Sequence, residues 1–140
     1  MSANLNLVRS IFAAWELGDF SSTEWAHAEI QFAIADGPAP GSWKGRAGME
    51  EDSRRHLSAW QDYRVKPEDY REIDGERVLV LFRDRGRGKM SGLDIGQMST
   101  EPAALFHIRG GKVTRLVWYM SDRERALADL GLAPEGGSQR

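Results

Sequence analysis

The chain has 140 residues, 41% hydrophobic and 29% charged, which is enough for one domain with a real core and ordinary for a soluble protein. A net charge of -2 gives no basic footprint for nucleic acid, and the absence of Cys excludes disulfides, thiolate metal sites and Cys nucleophiles. No apolar run approaches the roughly 18 residues of a membrane span, and the N-terminus lacks a basic segment with a long apolar run, so a cytoplasmic protein without a secretory signal is expected.

Leu5, Val8, Ile11, Phe12 and Trp15 recur at helical spacing, with Gly18 placed to cap the helix in the left-handed conformation. Ser21-Ser22-Thr23-Glu24 has the form of a capping box, flanked by Phe20 and Trp25 as a hydrophobic staple, and predicts a second, short helix. Glu29 to Asp36 alternates. Ile30, Phe32 and Ile34 share one face, and Asp36 has the parity of that face, so it should end the strand pointing inward. Residues 37–42 read as a loop.

From Arg46 to about Tyr63 the period is helical again. Met49, Ser53, His56, Leu57 and Trp60 form one stripe with Asp52 at its edge, while Glu50, Glu51, Arg54, Arg55 and Gln61 form the solvated side. Arg64 to Ile73 is an edge strand interrupted by Pro67, and Asp74-Gly75 is a two-residue hairpin signal. Arg77 to Arg85 is the most apolar strand, with Arg85-Gly86-Arg87-Gly88-Lys89 at its end or at a hairpin tip. Leu93 to Met98 and Ala103 to Ile108 read as one long strand bent near Glu101-Pro102. Gly110-Gly111 is a further hairpin turn, followed by a last strand, Lys112 to Met120. A closing helix starts at Ser121 and ends at Leu130. Gly131 is its left-handed cap, and Leu132 is placed to touch Leu127. Helices followed by hairpin-linked strands predict an α+β domain over residues 1–132, and residues 133–140 a flexible polar tail.

Several fragments, each weak alone, resemble in order and spacing the nuclear transport factor 2-like superfamily, and within it the SnoaL-like (polyketide-cyclase-like) branch. They are residues 12–20 (Phe-Ala-Ala-Trp-Glu-Leu-Gly-Asp-Phe), Trp43-Lys44-Gly45-Arg46, Asp74-Gly75-Glu76-Arg77-Val78, Gly110-Gly111-Lys112-Val113, and Tyr119 followed by Asp122-Arg123 and Ala126-Leu127. The resemblance spans Asn4 to Leu132. It implies a cone-shaped, cystatin-like α+β barrel, with a curved antiparallel sheet wrapped around a long N-terminal helix and a second helix. It also implies a deep apolar pocket for a small hydrophobic ligand, a homodimer through the sheet and no cofactor. It does not supply a reaction, since members include isomerases, cyclases, hydrolases, dehydratases and non-catalytic binders.

The candidate catalytic residues are Asp36, Asp52 and His56. A carboxylate facing an apolar pocket has a raised pKa and can shuttle a proton at neutral pH, and Asp36 lies nine residues before Gly45, as the base of ketosteroid isomerases does relative to its own glycine. The alternative is an Asp that caps the turn before Gly37-Pro38. Asp52 and His56 are four apart on a helix, so the carboxylate can fix and strengthen the imidazole as a base. A helix-flank ion pair or a satisfied core His is the alternative. The rest of the isomerase pattern is missing. Its first-helix Tyr falls on Ile11 and its second acid near Ala104, so a dienolate would lose several kcal/mol of stabilisation. The Asp-Arg-Asp set of the epoxide hydrolases is not visible either, although Arg83, Asp84 and Arg85 stand on or near a strand. The expected pocket lining is Trp15, Met49, Trp60, Phe82, Met98, Phe106 and Tyr119. No HxH or HxxxH spacing suggests a metal. An acid/base enzyme and a non-catalytic binding or dimerisation module both remain open. An open cavity with polar side chains favours the first, and a closed apolar interior the second.

Overall fold

A computed structural model describes residues 2–20, 22–35, 40–58, 60–88, 101–120 and 123–132. The elements in order are α1 (Ala3–Glu16), β1 (Ala26–Ile34), β2 (Gly41–Lys44), α2 (Gly45–Ser58), β3 (Trp60–Glu72), β4 (Arg77–Gly88), β5 (Ala103–Arg109), β6 (Lys112–Tyr119) and α3 (Arg123–Asp129). The six strands form one curved, open sheet in the order β2-β1-β6-β5-β4-β3. All neighbours are antiparallel except β1 and β6, so the sheet is mixed where a purely antiparallel one was expected.

The sheet is apolar on both faces. The inner face packs Val78, Val80, Phe82, Phe106 and Leu116 against Val8, Ile11, Phe12 and Trp15 of α1 and Met49 of α2. The outer face carries Leu79, Leu81, Leu105, Val117 and Tyr119, covered by Ala126 and Leu127 of α3. Helices therefore lie on both sides of the sheet. Leaving the back-face row in water would expose several large side chains, each worth roughly 1.5–3 kcal/mol of burial.

The caps follow the sequence signals. Ser2 accepts the Leu5 N–H (3.0 Å) at the start of α1. Gly18 ends that helix at φ +82°, with the Asp19 N–H donating to the Ala14 carbonyl (3.0 Å). At the end of α3, Gly131 takes φ +71° and the Leu132 N–H donates to the Leu127 carbonyl (2.8 Å), the expected Schellman closure. Gly110-Gly111 forms the predicted two-residue turn, both residues at positive φ. The other hairpin differs. Ile73 pairs with Arg77 and leaves a three-residue loop, within which Asp74 accepts the Glu76 N–H (2.9 Å).

Other boundaries also differ. The segment after Phe20 is a turn rather than a short helix, closed by the Ala26 N–H on the Thr23 carbonyl (3.0 Å). Gly41 and Ser42, read as loop, belong with Trp43 and Lys44 to an edge strand on β1, where Trp43 packs on Phe32 with ring centroids 5.7 Å apart. The second helix stops at Ser58 and the chain is extended from Trp60, since pairing with β4 begins there. β3 is the opposite edge, as Pro67 foretold, and its register shifts between Pro67 and Asp69. The expected strand Leu93 to Met98 and the tail lie outside the described residues.

Candidate functional site

Where the sheet curls away from α2, the inner face opens into a recess of about 470 Å³. One wall is aromatic: Trp15 from α1, Phe20 and Trp25 from the turn after it, Phe32 from β1 and Trp118 from β6. The rings hold one another in place. Trp15 lies between Phe20 (5.8 Å, 23°) and Trp118 (5.4 Å, 29°), with Trp25 edge-on to it at 6.0 Å. Such packing fixes the wall before any ligand arrives. The other wall is α2, which contributes Met49, Glu50, Ser53, Arg54 and Leu57. Thr23 spans the two, its hydroxyl donating to the Glu50 carboxylate (2.5 Å).

A smaller chamber of about 40 Å³ shares Phe20, Phe32, Ser53, Leu57 and Trp118 with the recess and adds Ile34, Asp52, Tyr63 and Met120. It is large enough for a water molecule. Asp52 is 7% exposed. The buried Tyr63 hydroxyl donates to Asp84 Oδ2 (3.0 Å). Burial first, then the Asp84 charge and this hydrogen bond, push the phenol well above its usual range, so it stays a donor.

The sequence candidates separate into groups. Trp15 and Met49 line the recess and Asp52 the inner chamber. Phe82 and Phe106, fully buried, lie behind the lining. Phe82 stands edge-on to Trp118 (5.4 Å, 83°), and both rings pack on Phe12. Tyr119 is on the opposite face, where its hydroxyl donates to Asp129 (3.1 Å). This corrects its place in the lining: the neighbouring Trp118 takes the inward parity. Asp36 and Met98 lie outside the described residues. His56 belongs to α2 and Trp60 opens β3, but their side chains are outside the described part. Glu50 and Arg54, assigned by helical phase to the solvated side, instead line the recess, which extends from the stripe of Met49, Ser53 and Leu57 onto the flank of α2. Phe20, Trp25, Phe32 and Trp118 were not singled out as lining. Their inward parity or local clustering was the available signal.

Ile11 and Ala104 are buried in the apolar core, which leaves the two oxyanion donors of the steroid isomerases without counterparts at those positions. Among the described residues no group of three or more His, Cys, Asp or Glu is placed to hold a metal ion. No described helix is long and apolar enough to cross a membrane.

A curved, open sheet with two helices against its inner face forms an α+β cone around an aromatic recess. The chain belongs to the SnoaL-like domain family, whose model matches residues 8–116. Among solved structures it is similar to a nuclear transport factor 2-like protein of unknown function from Burkholderia pseudomallei. The identity is 18% and the TM-score 0.74, over 91% of this chain and 97% of the other. It is also similar to TerC co-crystallised with polyporic acid, with 20% identity and TM-score 0.71 over 92% and 98%. A third is a hypothetical protein with a ketosteroid isomerase-like fold from Catenulispora acidiphila, in complex with trimethylamine (18%, TM-score 0.67, over 91% and 93%). No curated protein matches the chain.

Proposed function

We propose that this SnoaL-like domain holds a small, mostly apolar molecule in the recess between the Trp15–Trp118 wall and α2, and performs cofactor-free acid/base chemistry on it. The observation that carries this reading is the division of the recess. Its wall of interlocked rings faces a helix flank bearing Glu50, Ser53 and Arg54, with Asp52 in the adjoining chamber. An open cavity with several polar side chains is a poor filled core and a good ligand site. TerC, a related fold co-crystallised with polyporic acid, supports the same use here.

Proton transfer is assigned to Asp52 with His56, four residues on, and to Asp36, whose position in the sequence continues the alternation of Phe32 and Ile34. A homodimer through the outer face of the sheet belongs to the same reading, since Ala33, Ala35 and Ile73 leave apolar surface beside α3.

The test is Nile red, a neutral dye whose emission rises in apolar sites. Ser53, which lines both chambers, is replaced by Trp to fill them. The dye should bind the wild type and bind S53W at least tenfold more weakly, and equal affinities would remove the recess as the site. NMR titration of the His56 imidazole with and without bound dye checks the base: a pKa unmoved by the ligand removes it. Native mass spectrometry that gives only the monomer mass removes the dimer.

A further inference from the structure

The charges along the recess are not equivalent. Two consecutive arginines leave α2. Arg55 is held by Glu51 at 3.3 Å, the usual i,i+4 pairing. Arg54 lines the recess and, among the described residues, has no ion pair. Glu50, the carboxylate one turn before Arg54, accepts the Thr23 hydroxyl across the recess instead (2.5 Å). The recess therefore presents aromatic rings, a carboxylate with one oxygen engaged by an internal donor, and a guanidinium that has no ion pair among the described residues.

A guanidinium has donors only and matches an oxyanion, bidentate where two oxygens are offered. A cationic ligand would have to share Glu50 with Thr23 and the recess with Arg54. An apolar molecule with a negative end meets neither cost. We infer that the ligands are flat, ring-containing oxyanions, that is carboxylates or enolates conjugated to an apolar body, and that Arg54 is the residue that selects them. The ring system lies against Trp118 and Trp25, and the oxyanion reaches the flank of α2. This inference rests on the recess being the ligand site.

The experiment uses the full chain and three naphthalenes of matched shape: 2-naphthoate, 2-naphthamide and 2-naphthylmethylammonium. Dissociation constants are measured by calorimetry at low salt for the wild type, R54Q and R54K. The wild type should bind the naphthoate roughly tenfold more tightly than the amide, the scale of one charge-assisted hydrogen bond at a partly wet site. R54Q should bring the naphthoate to the affinity of the amide. R54K should keep part of the preference, because it retains the charge and loses the fork. The preference should also shrink as salt is raised. Equal binding of acid and amide, tighter binding of the ammonium, or a preference that survives in R54Q overturns the inference while leaving the recess a ligand site. Failure of all three compounds to bind overturns both.

Discussion

Arg123 tests the energetic account of the fold most sharply. Its side chain is 1% exposed, yet it is a permanent cation. It donates to the Phe82 carbonyl (2.7 Å) and to Glu68 Oε1 (3.0 Å), and Arg83 donates to the other oxygen of Glu68 (3.1 Å). Glu68 reaches this position because β3 shifts register between Pro67 and Asp69. Glu68→Ala removes this carboxylate from the buried guanidinium. Removing one partner of a fully buried pair costs roughly 3–5 kcal/mol. Here the Glu68 side chain is 38% exposed and Arg123 keeps the Phe82 carbonyl, so about 2 kcal/mol is expected. For a chain of this length that lowers Tm by roughly 7 °C.

Burial pushes the Glu68 carboxyl up, but the hydrogen bonds from Arg123 and Arg83 outweigh it and hold its pKa below the ordinary value. A depressed carboxyl contributes stability above its unfolded pKa, about 4.3, and loses that contribution as pH falls through the folded value. The gap between wild type and E68A, followed by thermal unfolding, should therefore be full at pH 7 and narrow below about pH 4. In the double variant E68A/R123M the buried charge is gone, and part of the lost stability should return. A gap under about 0.5 °C at pH 7, or a double variant less stable than E68A, would refute the reasoning.

Two further perturbations address the inner chamber and the sheet. Tyr63→Phe removes the buried hydroxyl that donates to Asp84, and should cost about 1.5 kcal/mol in urea unfolding with an unchanged slope; a midpoint equal to the wild type would deny the bond any net worth. His107 lies in register between Arg77 and Arg115, and burial, then those two charges, lower its pKa against the opposing pull of Asp74 and Glu76. Its neutral form is the folded one, so stability should fall as pH drops below about 6.5, where the unfolded imidazole takes up its proton. The loss from pH 7 to 5 should be smaller in H107Q, and parallel curves would sink this assignment.

Much of the fold is legible in the sequence because its signals are local. The stripe of Val8, Ile11, Phe12 and Trp15, the caps at Gly18 and Gly131, the Gly110-Gly111 turn and the edge marked by Pro67 all depend on residues a few positions apart. The departures arise where distant groups outbid local ones. The Ser21-to-Glu24 segment has the local form of a helix start, but the Thr23 hydroxyl bridges to Glu50 on α2 and the Trp25 ring packs on Trp15, which holds residues 22–25 as a turn.

Parity fails in β6 for a different reason. Leu116 and Trp118 are apolar inward, Val117 and Tyr119 apolar outward under α3, and nothing in the alternation says which row meets the cavity. The shift between His107 and Ile108 adds Val113 to the inner face and removes even the help of counting back. The same logic explains Glu50 and Arg54. Helical phase locates the stripe that packs against the sheet, and its Met49, Ser53 and Leu57 meet the recess as well as the core. In an open cone the residues that meet a ligand stand at the boundary between the packed stripe and the solvated side, where a long polar side chain can reach into the recess from the flank. An amphipathic pattern treats that boundary as surface, so it finds Met49, Ser53 and Leu57 but assigns Glu50 and Arg54 to water.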